Sequence, residues 1–372
     1  MLLRQNRIVI DLEAIRSNYR TLSSAMPKGT CVMPVVKANA YGHGMVEVAK
    51  VVAGEGAACL AVALAEEGVL LRKAGIQTDI LVFGAATERA AEEAVHYDLI
   101  QTVFEPHMVR VLNEIAQKLE KDAKVHIKLD TGMGRIGLRE KSEGEALQAA
   151  LDEAAYVKAV GIYTHFADAD NPPEAGGMNC FSAKQLERFL ELKACFSPDL
   201  MAHAANSALS LLAPEACFQM VREGIALYGY PPVKTPLLIQ RALRWETEVV
   251  HVKTVPKGTS IGYGCTFVAP EEMRVATVAV GYGDGYHRKC SNRAQMLIGG
   301  KRANVVGRVC MDQTMLDVTD IDMVSVGMPV VLIGRQGEEE IGADEVARWA
   351  DTISYEVLLA ATNRVPREYI GD

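Results

Sequence analysis

The sequence predicts an N-terminal (β/α)8 TIM-type barrel followed by a mostly β C-terminal domain. Three observations carry this: eight short apolar runs from residue 31 to about residue 230, helical periodicity between them, and a change to alternating texture after Tyr228-Gly-Tyr-Pro-Pro232. Strands of a parallel barrel are buried on both faces, so they read as continuous β-branched runs. Eight strand-helix units in succession are what close such a barrel.

The runs are Cys31–Val36, Ala58–Leu64, Ile80–Phe83, Leu99–Phe104, Val125–Leu129, Val157–Thr164, Leu200–His203 and Phe218–Val221. Between them, stretches such as Ala65–Ala74 and Ala183–Leu192 repeat apolar residues at three and four, as crossover helices do. Beyond Pro232, Glu246–Val255 alternates, and Pro256-Lys-Gly258 and Gly299-Gly300 read as turns of an antiparallel domain. Ala343–Ala361 has helical spacing and an acidic start, Asp344-Glu345, which predicts one helix near the end. The expected domains are 1–235 and 236–372, with the first ~10 residues a candidate for packing with the second domain.

A chain of 372 residues exceeds one ordinary core, and a barrel of roughly 250 residues plus a smaller domain accounts for it. The hydrophobic share of 49% and charged share of 23% are those of a soluble globule. A net charge of −8 without a basic run excludes the electrostatics of nucleic-acid binding. The first residues lack the apolar core of a signal peptide, and no run of about 18 apolar residues occurs, so a cytoplasmic chain without membrane contact is expected. Eight cysteines without a C-x-x-C pair and eight histidines without a metal-ligand spacing predict reduced, mostly buried thiols and no metal.

In such barrels chemistry sits at the carboxyl ends of the strands. Strand one ends Val35-Val36-Lys37, strand five runs into Asp130-Thr-Gly-Met-Gly-Arg135, strand six into His165, strand seven into Asn206-Ser207, and strand eight into Arg222-Glu-Gly-Ile-Ala-Leu-Tyr228. A lysine at the barrel mouth, with its pKa lowered by burial and cations, is a nucleophile that forms a Schiff base, and pyridoxal phosphate is the commonest carbonyl partner. The plain alternative is a lysine snorkelling to water. Phosphates in barrels are often held after strands seven and eight, where Ser207, Gly224 and Ile225 stand; equally, Asn206-Ser207 suits a helix cap and Gly224 a tight turn.

Arg222 would place a fixed positive charge beside a pyridine nitrogen and oppose its protonation, favouring reprotonation at Cα over transamination; a strand-end arginine paired with a carboxylate is the alternative. Racemisation needs acid/base groups on both faces of Cα. Lys37 supplies one, and Tyr263 in Ser260-Ile-Gly-Tyr-Gly264 is the candidate for the other, although a tyrosine between glycines is commonly a turn aromatic.

Several motifs together resemble those of the alanine racemase family over nearly the whole chain. They are Val35-Val-Lys-Ala-Asn-Ala-Tyr-Gly-His-Gly44, Lys128-Leu-Asp-Thr-Gly-Met-Gly-Arg135, Tyr163-Thr-His-Phe-Ala167, His203-Ala-Ala-Asn-Ser207, Gly281-Tyr-Gly-Asp-Gly285, Gly307-Arg-Val-Cys-Met-Asp-Gln313 and Arg364-Val-Pro-Arg367. The resemblance implies a homodimeric pyridoxal-phosphate racemase that supplies D-amino acids for cell-wall peptidoglycan. It implies Lys37 as the cofactor lysine and Tyr263 of a second copy as the opposing base. Tyr41, Arg135, His165, Asn206, Ser207, Arg222, Gly224, Ile225, Tyr228 and Asn363 are its cofactor set, with Arg135 on the phenolic oxygen. Arg135, Met311, Asp312 and Asn363 match substrate positions, Asp170, Tyr282 and Arg288 the entrance, and Lys128 a lysine often carbamylated.

One departure matters. Before Arg364-Val-Pro-Arg367 the family usually has a tyrosine, whereas Asn363 stands here, similar to the serine racemase domains of vancomycin-resistance systems. Asparagine leaves room and a hydrogen-bond partner for a hydroxymethyl group, so alanine and serine are both expected substrates. In those systems the racemase is often the cytoplasmic part of a larger membrane protein. The competing readings are a barrel that binds pyridoxal phosphate without racemising, a pyridoxal-phosphate-dependent amino-acid decarboxylase, and a non-enzymatic interaction module.

Overall fold

A computed structural model describes residues 5–173 and 176–371. The chain forms two compact units. The first comprises Ile15–Ala40 and Gly44–Gln240; the second comprises the described residues up to Ala14, Tyr41–His43 and those from Arg241 onward.

β1 (Arg7–Asp11) belongs to the second unit. The first unit is a barrel of β2 (Cys31–Pro34), β3 (Cys59–Val62), β4 (Asp79–Val82), β5 (Ile100–Val103), β6 (Ala123–Lys128), β7 (Val157–Tyr163), β8 (Met201–Asn206) and β9 (Met220–Glu223). Each predicted run overlaps one of these strands. They pair in parallel in the order β2-β9-β8-β7-β6-β5-β4-β3. The ring is drawn together by a bridge between Val35 and Ala61, where the Val36 N–H donates to the Ala61 carbonyl at 2.9 Å. Helices Ala65–Lys73 and Cys180–Lys193 fall where the periodicity puts them. The Asn179 side chain caps the second by accepting from Ser182 N–H at 2.8 Å.

The chain leaves β2 in an unexpected way. Ala38, Asn39, Ala40 and Tyr41 all have φ between 51° and 54°, a full turn of left-handed helix without a glycine. Each such residue costs about 1–2 kcal/mol for an L-amino acid, and the turn lies immediately after Lys37.

The second unit is built on β10 (Leu243–Val255), which pairs antiparallel with β1 and is joined in the same nine-stranded sheet by seven more strands. Following β11 (Ser260–Ile261) and β12 (Phe267–Val268), a separate hairpin, come β13 (Met273–Val278), β14 (Gln295–Ile298), β15 (Lys301–Asn304), β16 (Thr314–Asp317), β17 (Pro329–Gln336), β18 (Glu339–Ile341) and β19 (Arg367–Ile370). The main path is β15-β14-β17-β10-β1-β19, with only the β1–β19 pair parallel. The expected single helix over Ala343–Ala361 is two, Ala343–Ala350 and Ser354–Leu359, because Asp351 adopts φ 56° and ends the first.

All eight cysteines are unpaired, but the expectation of mostly buried thiols fails: Cys59, Cys217 and Cys290 are buried, while Cys31, Cys180 and Cys265 are exposed. Among the described residues no helix is long and apolar enough to cross a membrane.

Candidate active site

The alternation of barrel strands sends one set of side chains inward. On the inward face β6 carries His126 and Lys128, β7 Tyr163, β8 His203 and β9 Arg222, every one of them buried. Arg222 is the hub. Its Nη1 donates to His203 Nδ1 at 2.9 Å, and its Nη2 donates to the Ala204 carbonyl at 2.7 Å, the Thr164 carbonyl at 2.9 Å and His165 Nδ1 at 3.2 Å. It meets no carboxylate there, so the strand-end ion pair is not what holds it. Burial brings the guanidinium down to about 10, which still leaves it cationic at neutral pH. His165 is held well below its ordinary value by burial and then by Arg222 and Arg135, which keeps its ring neutral and accepting.

Lys37 is half-buried at the start of the left-handed turn. Burial and the Arg135 charge lower its amine, Glu67 opposes them, and Arg222 lowers it further. Lys128 lies deeper, with Nζ donating to the Leu129 carbonyl and 5.4 Å above the Tyr163 ring. Burial and Arg222 push it down to about 7. Arg135 is exposed on the loop after β6. Asp130 shapes that loop by accepting from Gly132 N–H at 3.1 Å and Gly134 N–H at 2.9 Å. Burial would raise the Asp130 carboxyl, but the Gly134 and Gly132 amides and the Lys128 charge bring it below the usual range.

Ser207 and Gly224 are brought together: the Gly224 N–H donates to Ser207 Oγ at 2.9 Å. Asn206 Oδ1 accepts from Ala208 and Leu209 N–H, each at 3.3 Å, so its side chain caps the short turn that follows. Tyr228 is fully buried, and its hydroxyl donates to the Val35 carbonyl at 2.9 Å, tying the loop after β9 to the end of β2. Ile225 is buried beside Gly224, and Asp170 is exposed on the loop after β7.

The remaining candidates lie in the second unit. Tyr41 is buried there with its ring 6.0 Å from that of Tyr355. Tyr282, Met311, Asp312 and Asn363 are gathered by three interlocked turns. Tyr282 N–H donates to the Cys310 carbonyl at 3.0 Å and Gly283 N–H to Met311 at 2.8 Å. Thr362 Oγ1 donates to the Gly283 carbonyl, and Arg364 pairs with Asp312 at 2.7 Å. Gly285 permits the approach: at φ 106°, a Cβ there would collide with the Ala360 carbonyl oxygen. Arg288 is exposed on the turn before Ser291, whose Oγ accepts from Val309 N–H at 2.9 Å. Tyr263, 70% exposed, sits on the β11–β12 hairpin, where Gly307 and Arg308 pack against Ile261 and Gly262.

A family model for the alanine racemase N-terminal domain matches residues 10–232, and one for the C-terminal domain matches 242–369. The chain belongs to the alanine racemase family. Alanine racemase of Symbiobacterium thermophilum is 46% identical over 370 residues, covering 98% of this chain and 96% of the relative. The structure of the Bacillus anthracis alanine racemase with bound L-Ala-P superposes with a TM-score of 0.92 at 38% identity, covering 100% of this chain and 97% of that one. A Bartonella henselae alanine racemase with covalently bound pyridoxal phosphate gives 0.89 at 28% identity, covering 98% and 99%.

Sequence reasoning did not single out four side chains that the structure bonds or stacks around Arg222 and the turn after Lys37: His126, Tyr163, His203 and Glu67. The first three carry a legible signal, since polar side chains two apart in an apolar strand, as in His126-Ile-Lys128, point into the barrel. Glu67 carries none, because a glutamate in a helix's first turn is ordinary capping.

Proposed function

We propose that this chain interconverts L- and D-alanine, and accepts serine, with pyridoxal phosphate as cofactor and a homodimer as the working unit. The observation that carries the reading is the Lys37 amine, lowered by burial and by the Arg135 and Arg222 charges at the barrel mouth. A larger unprotonated share makes it the nucleophile that an aldehyde cofactor needs.

The donor set fits pyridoxal phosphate group by group. Lys37 offers an amine to the aldehyde, Arg222 a fixed cation to the ring nitrogen, and Ser207 with the Gly224–Ile225 segment a hydroxyl and backbone to the phosphate. When bound, the cofactor supplies a ring that stabilises negative charge at the substrate Cα. Arg222 has donors only and no proton to give at neutral pH, so it would leave the ring nitrogen unprotonated and restrain that electron withdrawal. His165, neutral and accepting from Arg222, keeps the guanidinium in place. Lys37 Nζ would take or return the Cα proton on one face, and the Tyr263 hydroxyl on the other. Tyr263 and Met311 are 70% and 52% exposed, which supports their being presented to a second copy.

Lys128, at about 7, has a neutral amine available to carbon dioxide, and a carbamate there would be an anionic partner for Arg135. Serine acceptance rests on Asn363, the exposed side chain between Thr362 and Arg364, which are both engaged. The D-alanine produced would serve cell-wall precursors. Lys37→Ala tests the core reading: the chromophore and stereochemical inversion should both vanish, and survival of the two together would refute it.

A further inference from the structure

One carboxylate serves three amides around the barrel mouth. Glu67, in the first turn of helix Ala65–Lys73, accepts at Oε2 from Ala63 N–H at 2.8 Å and Leu64 N–H at 3.2 Å. Those two bonds are helix capping. The third is different in kind: Oε1 accepts from Ala38 N–H at 2.6 Å, reaching a residue 29 positions earlier in the chain. Ala38 opens the left-handed turn that follows Lys37. Four successive non-glycine residues at positive φ persist only where their surroundings over-determine them. Glu67 does so at the start of the turn, and Asn39 Oδ1 accepts from Met45 N–H at 2.9 Å.

We propose that Glu67 is a positioning residue for Lys37: its carboxylate clamps the left-handed turn to the loop leaving β3 and so fixes where the Lys37 amine points. The inference rests on the reading of Lys37 as the cofactor lysine. Glu67 also contributes charge. The groups acting on the Lys37 amine are Arg135 from the loop after β6, Arg222 from β9 and Glu67, with neutral His165 facing it from the end of β7. Both arginines favour the unprotonated amine; Glu67 is the counterweight. Glutamine cannot replace it, since its single oxygen could serve Ala38 or the Ala63–Leu64 pair, and its NH2 would face an N–H at the other.

The test compares full-length wild type, Glu67→Gln and Glu66→Gln, the last removing an equal charge from an exposed neighbour. Amide exchange of segment 37–41 is followed by mass spectrometry. Chromophore growth is then recorded against pH after pyridoxal phosphate is returned to cofactor-free protein. Glu67→Gln should exchange about tenfold faster in that segment, and its midpoint for chromophore growth should fall by about half a pH unit; Glu66→Gln should match wild type in both. Glu67→Asp, which keeps the charge but is too short to span both loops, should loosen the turn with the midpoint near wild type. If Glu67→Gln behaves as Glu66→Gln does and only loses thermal stability, Glu67 is a helix cap and the proposal is wrong. Wild type that forms no chromophore at Lys37 would refute the cofactor reading instead, and the exchange comparison would still decide the role of Glu67.

Discussion

Arg222 Nη1 lies 2.9 Å from His203 Nδ1, and that contact dictates the protonation of a line of side chains inside the barrel. Arginine only donates, so His203 Nδ1 accepts and its proton sits on Nε2. That nitrogen is 2.9 Å from His126 Nδ1, which must accept in turn. Burial holds His126 down to about 3 and His203 well below its ordinary value, Arg222 adding to the latter. Tyr163 stacks on the His203 ring at 4.7 Å and 7°, anchored by its hydroxyl 2.8 Å from Thr102 Oγ1. The ring of His126 needs the bare backbone of Gly161, where a Cβ would come within 2.5 Å of it.

Removing the acceptor should release the guanidinium. In His203→Phe the ring's stacking on Tyr163 survives, but Arg222 Nη1 loses its imidazole partner in a buried site. A displacement of this kind should lower kcat/KM for alanine about 100-fold, with the folded state intact by near-UV circular dichroism. A rate within a factor of a few of wild type would mean that the backbone carbonyls alone hold Arg222.

The same line of neutral rings sets an acid limit on stability. Between pH 6.5 and about 3 the unfolded state protonates His126 and the folded state does not, so the unfolded state binds more protons and folding weakens as pH falls. The His126 ring contributes a slope of about 1.4 kcal/mol per pH unit in that window and none above it. His126→Asn places an amide oxygen near the former Nδ1 and does not titrate. Urea midpoints measured from pH 7.5 to 5 should start lower for this variant but fall less steeply than for wild type; parallel slopes would contradict the assignment.

The barrel is legible in the sequence because burial on both faces leaves no polar alternation to obscure the strands, and each apolar run overlaps its strand, although the ends differ by one to three residues at strands such as Met201–Asn206 and Met220–Glu223. The mouth is legible because Lys37, His165, Ser207 and Arg222 each follow such a run. The left-handed turn is not, since alanine and tyrosine have no preference for positive φ and the turn is imposed by distant partners, among them Glu67. Nor is the break at Asp351, where helical spacing continues across a residue that the backbone turns aside. Gly161 and Gly285 read as permissive positions, but their reason is close approach, by the His126 ring and by the Ala360 carbonyl.

Lys128 offers a direct chemical test. With its amine at about 7, about half is unprotonated near neutrality, and that form adds to carbon dioxide with release of one proton. Protein supplied with 13C-labelled bicarbonate at pH 8 should show a carbamate carbon resonance that Lys128→Met lacks and that disappears at pH 5. Identical spectra for wild type and variant would leave Lys128 as a buried amine.

The proposed serine acceptance can be tested at Asn363. It lies on the turn locked by Thr362 Oγ1 to the Gly283 carbonyl at 3.1 Å and by Arg364 to Asp312, so a change at 363 alters the exposed side chain and leaves those anchors in place. Tyrosine there removes the amide and fills the space, and a site that hydrogen-bonds a substrate hydroxyl loses most when that partner goes. Asn363→Tyr should therefore lower kcat/KM for L-serine by at least about tenfold relative to L-alanine, the alanine value changing little. Parallel racemisation assays on the two amino acids measure the ratio, and an unchanged ratio would remove Asn363 from the account of specificity.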